Sequence, residues 1–257
     1  AVSLSTSVGP GNTWTQKASI TGSRELAFSL VIGSKAYVGT GWSATSTYYN
    51  DFWEYNPANN SWTQKANFGG SGRIGASAFS INGKGYAALG FDGSYKTDLW
   101  EYDPINNTWL QKANYTGTAR YTAVGFSIGT KGYIASGKSS SSYHNDIYEY
   151  DPNLNTWTFK TTFSSHGRLE PTGFVINNLA YIGMGYNGST YLTDLWEYNP
   201  SNNSVSQKAN IGGSGRYAST SFALANRGFV SVGYVNGVGI SNEIWEYNAT
   251  SNTWLQR

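Results

Sequence analysis

The chain has no cysteine and a single methionine among its 257 residues. That excludes thiol catalysis, disulfide frameworks, iron–sulfur clusters and cysteine-based zinc sites. Charge is scarce too. Only 12% of residues are charged, with 15 acids against 17 bases, so the clustered lysine and arginine of a nucleic-acid surface is lacking. No apolar run approaches the roughly 20 residues of a membrane span, so no membrane insertion is expected. Ala1 to Thr6 carry none of the basic and hydrophobic regions of a signal peptide. The two histidines, His144 and His166, stand in no ligand-spacing motif. No metal or other cofactor is therefore expected. Helical periodicity is absent. What the chain has in quantity is glycine, 31 residues, and aromatics, with 20 tyrosines and 10 tryptophans. Such a composition suits half-buried pleated surfaces joined by tight turns.

An internal repeat organises these residues. The segment Asn12 to Lys17 returns around Trp62, Trp109, Trp157 and Trp254, and in degraded form at Val205, in steps of 47 to 49 residues. This period is that of one propeller blade. A second series is Trp53-Glu54-Tyr55, repeated at Trp100, Tyr148, Trp196 and Trp245. A third is Arg24, Arg73, Arg120, Arg168 and Arg216, each followed 13 residues later by an aromatic: Tyr37, Tyr86, Tyr133, Tyr181 and Phe229. Each unit reads as four short strands. In the second unit an apolar run from Ala76 to Ile81 meets an Asn82-Gly83 hairpin turn. Gly85 to Gly90 form a second strand, Asp98 to Tyr102 a third, and an Asp-Pro-x-Asn-Asn turn leads into Asn107 to Gln111.

The leading Arg, the aromatic of the second strand, the Gly that closes it, the acid opening the third strand and the Tyr-(Asn/Asp)-Pro-x-x-Asn-x-Trp tail together resemble the kelch-repeat β-propeller family, as in bacterial secreted kelch-type proteins. The resemblance spans residues 12 to 257. It implies an all-β fold: one propeller domain over residues 1–257, of four-stranded blades at about 24–64, 73–111, 120–159, 168–207 and 216–256. One departure is visible. Where the family usually carries two glycines after the second strand, only the second persists, as in Leu89-Gly90 and Met184-Gly185.

The count of motifs leaves the closure of the ring open. There are five complete units but six copies of the fourth-strand motif, because one opens the chain at residues 12–16. Five blades with an additional N-terminal strand is the expected architecture. The extra copy either displaces the last fourth strand, lies outside it, or belongs to a larger ring. A redundant strand is also an edge through which copies of the chain could assemble.

Subtracting the charges locked to the repeat filters for function. Five acids open the third strands (Asp51, Asp98, Asp146, Asp194, Glu243), and five more lie within them. Among the remainder, Glu25 and Glu170 lie one and two residues after a repeat arginine. The kelch resemblance places the arginines at the start of the innermost strands, where Arg24, Arg73, Arg120, Arg168 and Arg216 could form a ring that receives carboxylates bidentately. Repetition in every unit equally suits a scaffold role. The loops after the second strands vary most and are rich in Tyr, Ser, Asn and Gly. Trp42, Tyr49, Tyr95, Tyr143 and Tyr191, with Glu170, are therefore the other candidate ligand contacts.

The expected function is a non-catalytic binding or scaffold module for carbohydrate or an exposed protein segment, placed outside a bacterial cell. The competing expectation is an enzyme similar to the bacterial sialic-acid mutarotases, with Glu170 or Glu25 as acid/base. Galactose oxidase also carries kelch-type repeats, but its copper site needs a cysteine, which this chain lacks.

Overall fold

The computed structural model describes residues 14–43 and 45–257. Among these residues five four-stranded antiparallel sheets follow one another along the chain, each a meander with its strands in sequence order. Blade one comprises Phe28–Ile32, Lys35–Gly39, Phe52–Asn56 and Ser61–Gln64. Blade two comprises Ser77–Ile81, Lys84–Ala88, Leu99–Asp103 and Thr108–Lys112. Blade three runs through Val124–Ile128, Lys131–Ala135, Asp146–Asp151 and Thr156–Thr162. Its last pair of strands contains a bulge at Ile147/Tyr148. Blade four is Thr172–Ile176, Leu179–Gly183, Leu195–Asn199 and Ser204–Lys208, and blade five Thr220–Leu224, Arg227–Ser231, Ile244–Asn248 and Thr253–Gln256. The fold is propeller-like and all-β. The expected strand at 12–16 begins outside the described residues, and Trp14 to Gln16 lie in no strand.

Alternation of side chains builds the joints between blades. In a strand, alternate residues face opposite sides of the sheet. On the first strands of blades one to four, one set (Leu30 and Ile32, Phe79 and Ile81, Phe126 and Ile128, Phe174 and Ile176) is buried against the following blade. There it meets that blade's third-strand tyrosine, such as Tyr102, Tyr150, Tyr198 or Tyr247. On the second strand, glycine lets the blades close up. A Cβ on Gly132 would lie 2.2 Å from the ring of Phe79.

The turn before each fourth strand carries an asparagine in the left-handed region: Asn60, Asn107, Asn155, Asn203 and Asn252, at φ between 52° and 57°. Its side-chain oxygen accepts the hydroxyl of its own blade's tyrosine, as with Tyr102 and Asn107 at 2.9 Å. In Asn60, Asn107, Asn155 and Asn252 the same oxygen also accepts a backbone N–H from an earlier segment of the chain, as from Ala66 to Asn107 at 2.9 Å.

Each repeat arginine is turned into its own blade. Arg73 donates to both carboxylate oxygens of Asp98 at 2.5 and 2.8 Å and to the carbonyl of Leu89 at 2.9 Å. Arg24 with Asp51, Arg120 with Asp146 and Arg168 with Asp194 repeat this arrangement. In blade five the longer Glu243 takes a single bond from Arg216, at 2.7 Å. The accepting carbonyls belong to Thr40, Leu89, Ser136 and Met184, which with Val232 adopt φ between 53° and 69°. These are the positions where the kelch pattern would carry the first of its two glycines. Non-glycine residues take its left-handed backbone there. At Thr40, Leu89, Ser136 and Met184 the arginine on the carbonyl holds this geometry, and at all five positions an N–H bond to the acid's carbonyl does so too, as from Leu89 to Asp98 at 3.1 Å.

Candidate functional site

Two residues beyond each arginine the chain again turns left-handed, at Leu26, Gly75, Thr122, Glu170 and Ala218, with φ between 47° and 61°. These five residues surround the propeller axis. A relay of backbone bonds joins four of them: Gly75 N–H donates to Leu26, Thr122 to Gly75 and Glu170 to Thr122, at 2.9, 2.7 and 3.1 Å. The relay shows that the turn at Glu170 belongs to the repeat, and that only its side chain is peculiar to blade four.

A cavity of about 710 Å³ opens at this end of the axis and is lined by all five blades. Glu25 enters it from blade one, Glu170 from blade four, and Tyr217 and Tyr234 from blade five. Small residues, Ala27, Ala76 and Ala123 among them, and the apolar Leu26, Val232 and Ile240 form much of the remaining wall. Burial pushes the Glu170 carboxyl up to about 7, and the negative charge of Glu25 adds to the shift. Burial likewise raises the Tyr217 hydroxyl, with neighbouring tyrosines and Glu170 contributing.

The loop aromatics are held by short bridges above the blades. Each loop folds back so that the residue after the repeat arginine, the residue after the closing glycine and a loop aromatic pair side by side, as Leu169, Tyr186 and Tyr191 do. In blade five this element is a three-stranded sheet of Arg216–Tyr217, Tyr234–Val235 and Gly239–Ile240. The result on blades four and five is a cluster of four tyrosines. Tyr191 stacks on Tyr217 with centroids 5.3 Å apart and planes at 11°, Tyr217 lies 5.6 Å from Tyr234, and Tyr186 lies 5.2 Å from Tyr191.

Of the residues singled out from the sequence, the structure brings Glu25 and Glu170 into the axial cavity. Tyr191 stands beside it through Tyr217. Trp42 packs against Tyr48, and Tyr95 against Phe91 and Tyr121. Tyr143 sits under the ammonium of Lys138. Tyr49 covers the guanidinium of Arg24 at 4.5 Å. These four line other parts of the same face rather than the cavity.

A ring of free guanidinium groups does not form. The side chains of Arg73, Arg120, Arg168 and Arg216 are at most 1% exposed and that of Arg24 is 5% exposed, and all five are held by carboxylates of their own units. In these positions the arginines anchor the third strand of each blade, and an incoming anion would have to displace a partner carboxylate to reach them.

The histidines lie apart. His144 packs near Arg120, where burial and that positive charge lower its basicity, whereas His166 is exposed beside Ser165. Tyr217 and Tyr234 are the cavity residues that sequence reasoning missed. Tyr217 shares the register of Glu25, one residue after the arginine, so comparing aromatics as well as charges in that register would have found it.

No family model and no curated protein matches the chain. Among solved structures, one titled "Structure of YjhT" superposes with a TM-score of 0.83 over 97% of this chain and 89% of the other, at 19% sequence identity. At that identity the likeness shows a shared propeller-like fold.

Proposed function

We propose that the protein is a kelch-type binding module that takes a neutral carbohydrate in the axial cavity. The observation that carries this reading is the meeting of Glu25, Glu170, Tyr217 and Tyr234 in one cavity of about 710 Å³. Tyrosine rings offer flat apolar surface to the C–H face of a pyranose and hydroxyls to its polar edge. The two carboxyl groups accept hydrogen bonds from sugar hydroxyls. The volume lies within the range typical of small-ligand sites. No lysine or arginine is among the lining residues, which disfavours an acidic sugar.

The test is equilibrium binding of the purified chain to a panel of neutral and acidic glycans, repeated with Tyr217→Ala. A neutral ligand whose affinity falls at least about tenfold in the variant supports the reading. A blank panel, or hits confined to acidic sugars, sinks it.

One observation favours catalysis as a second reading. A carboxyl group poised near neutrality beside a second carboxylate can give and take a proton at working pH. In that case Glu170→Gln abolishes turnover of a bound sugar while leaving its affinity nearly intact, whereas in a pure binder it changes affinity alone.

A further inference from the structure

Blades one and five do not close on each other. Each of the other joints is stitched at its inner end by a glycine N–H donating to the next arginine carbonyl: Gly41 to Arg73, Gly90 to Arg120, Gly137 to Arg168 and Gly185 to Arg216, at 2.7 to 2.9 Å. Among the described residues no such bond joins Gly233 to Arg24. Four apolar cores lie between successive blades among the described residues, and none of them links blade five to blade one. Between these two blades is a cavity of about 890 Å³.

The faces that line it are the two unmatched halves of the joint used everywhere else. Blade five presents Phe222, stacked on Phe229 at 5.0 Å, and Leu224, which is 39% exposed. Their counterparts Phe174 and Ile176 are buried by the next blade. Blade one presents Val31, which is 60% exposed, where Val175 in the same register packs against blade three.

The N-terminal segment shows what belongs in the wedge. The indole N–H of Trp109 donates to the carbonyl of Ala66, and Ala66 donates to Asn107; Ala66 follows the fourth strand of the blade before. Ala18 makes the same pair of bonds with Trp62 and Asn60, at 2.8 Å each. Trp14 to Lys17 thus stand where the fourth strand of a blade preceding blade one would lie. Blade five already has its own fourth strand in Thr253–Gln256.

We propose that the wedge receives a three-stranded antiparallel sheet built on this same repeat pattern, which takes Trp14 to Lys17 as its fourth strand and completes a sixth blade. The occupant is fixed by continuity with the existing joints. It must offer a third-strand tyrosine and a small second-strand residue to Phe222 and Leu224. On its other face it must offer an apolar first strand to blade one. A repeat unit presents both surfaces on a single sheet.

The test extends the full chain after Arg257 with a copy of residues 66–103, which continues the register because Arg257 corresponds to Lys65. A scrambled copy is the control. The extended protein is expected to show a higher Tm than the parent, with amide exchange of Trp14 to Lys17 slowed about 100-fold or more. The scrambled extension leaves both unchanged. An appended segment that exchanges as unfolded chain overturns the proposal. So does a parent chain that is dimeric in solution with Val31 and Leu224 protected, since a second copy would then be the occupant.

Discussion

Glu170 and Glu25, on blades four and one, share the axial cavity, and the Glu170 carboxyl is held up to about 7. A carboxyl raised in the folded state binds its proton more tightly there than in the unfolded chain. Its contribution to stability is complete below the ordinary glutamate range and is lost as pH climbs through about 7. Glu170→Gln removes that loss. Denaturant titrations should show the variant equal to the parent near pH 4 and more stable at pH 8, with the gap opening between the two. Equal stability at pH 8 would mean that the carboxyl ionises freely.

The arginine pairs are structural supports, so their removal should be read out as unfolding. Arg120 is fully buried and bonds both oxygens of Asp146 and the carbonyl of Ser136. Arg120→Ala leaves a carboxylate without its partner, at an expected cost of about 3–5 kcal/mol. Chemical denaturation measures this directly. A variant of unchanged stability that has lost ligand binding would restore the arginine to the site.

Val232 is β-branched, 40% exposed and held at φ 56°. Its backbone N–H bond to Glu243 does not depend on the side chain. Val232→Gly should therefore stabilise the protein, by about 1 kcal/mol once the greater freedom of glycine in the unfolded chain is set against the relieved strain. At Leu89, φ 64°, the same change should destabilise, because that side chain is completely buried. Thermal melts of the two variants should move in opposite directions.

The hydroxyl of Tyr86 donates to Glu101 at 2.6 Å, and Tyr37, Tyr133 and Tyr181 repeat the bond with Glu54, Glu149 and Glu197. Phe229 has no hydroxyl, which leaves Glu246 with its cation partners Arg227 and Arg257. Tyr86→Phe should cost about 1.5–3 kcal/mol, the worth of a hydrogen bond to a charged group. A loss under about 0.5 kcal/mol, within the scatter of neutral surface changes, would show that the second-strand hydroxyl is dispensable in blade two.

The blades were legible because their residues recur at one period, and recurrence reveals a strand even where each segment is short. The pairing of Arg73 with Asp98 was equally available. A cation and an acid that repeat 25 to 27 residues apart in every unit are natural counter-ions, yet each series read alone looks like a ring of charge. Glu170 stood out by breaking the pattern of its register. Tyr234 follows the closing Gly233 in the register of Trp42, so its loop was legible, but its approach to Tyr217 depends on how that loop folds back. The open wedge left a single trace in the sequence, a sixth fourth-strand motif, whose meaning rests on the bonds from Ala18 to blade one.

The glycine–arginine stitches couple each blade to its immediate neighbours alone. Five units linked by four such couplings behave as a one-dimensional array with two free ends. An end unit opens by breaking one coupling, and an interior unit must break two, so native-state exchange should be fastest in blades one and five and slowest in blade three. Closing the array into a circle would erase that gradient and turn a molecule that frays from its ends into one that melts as a whole.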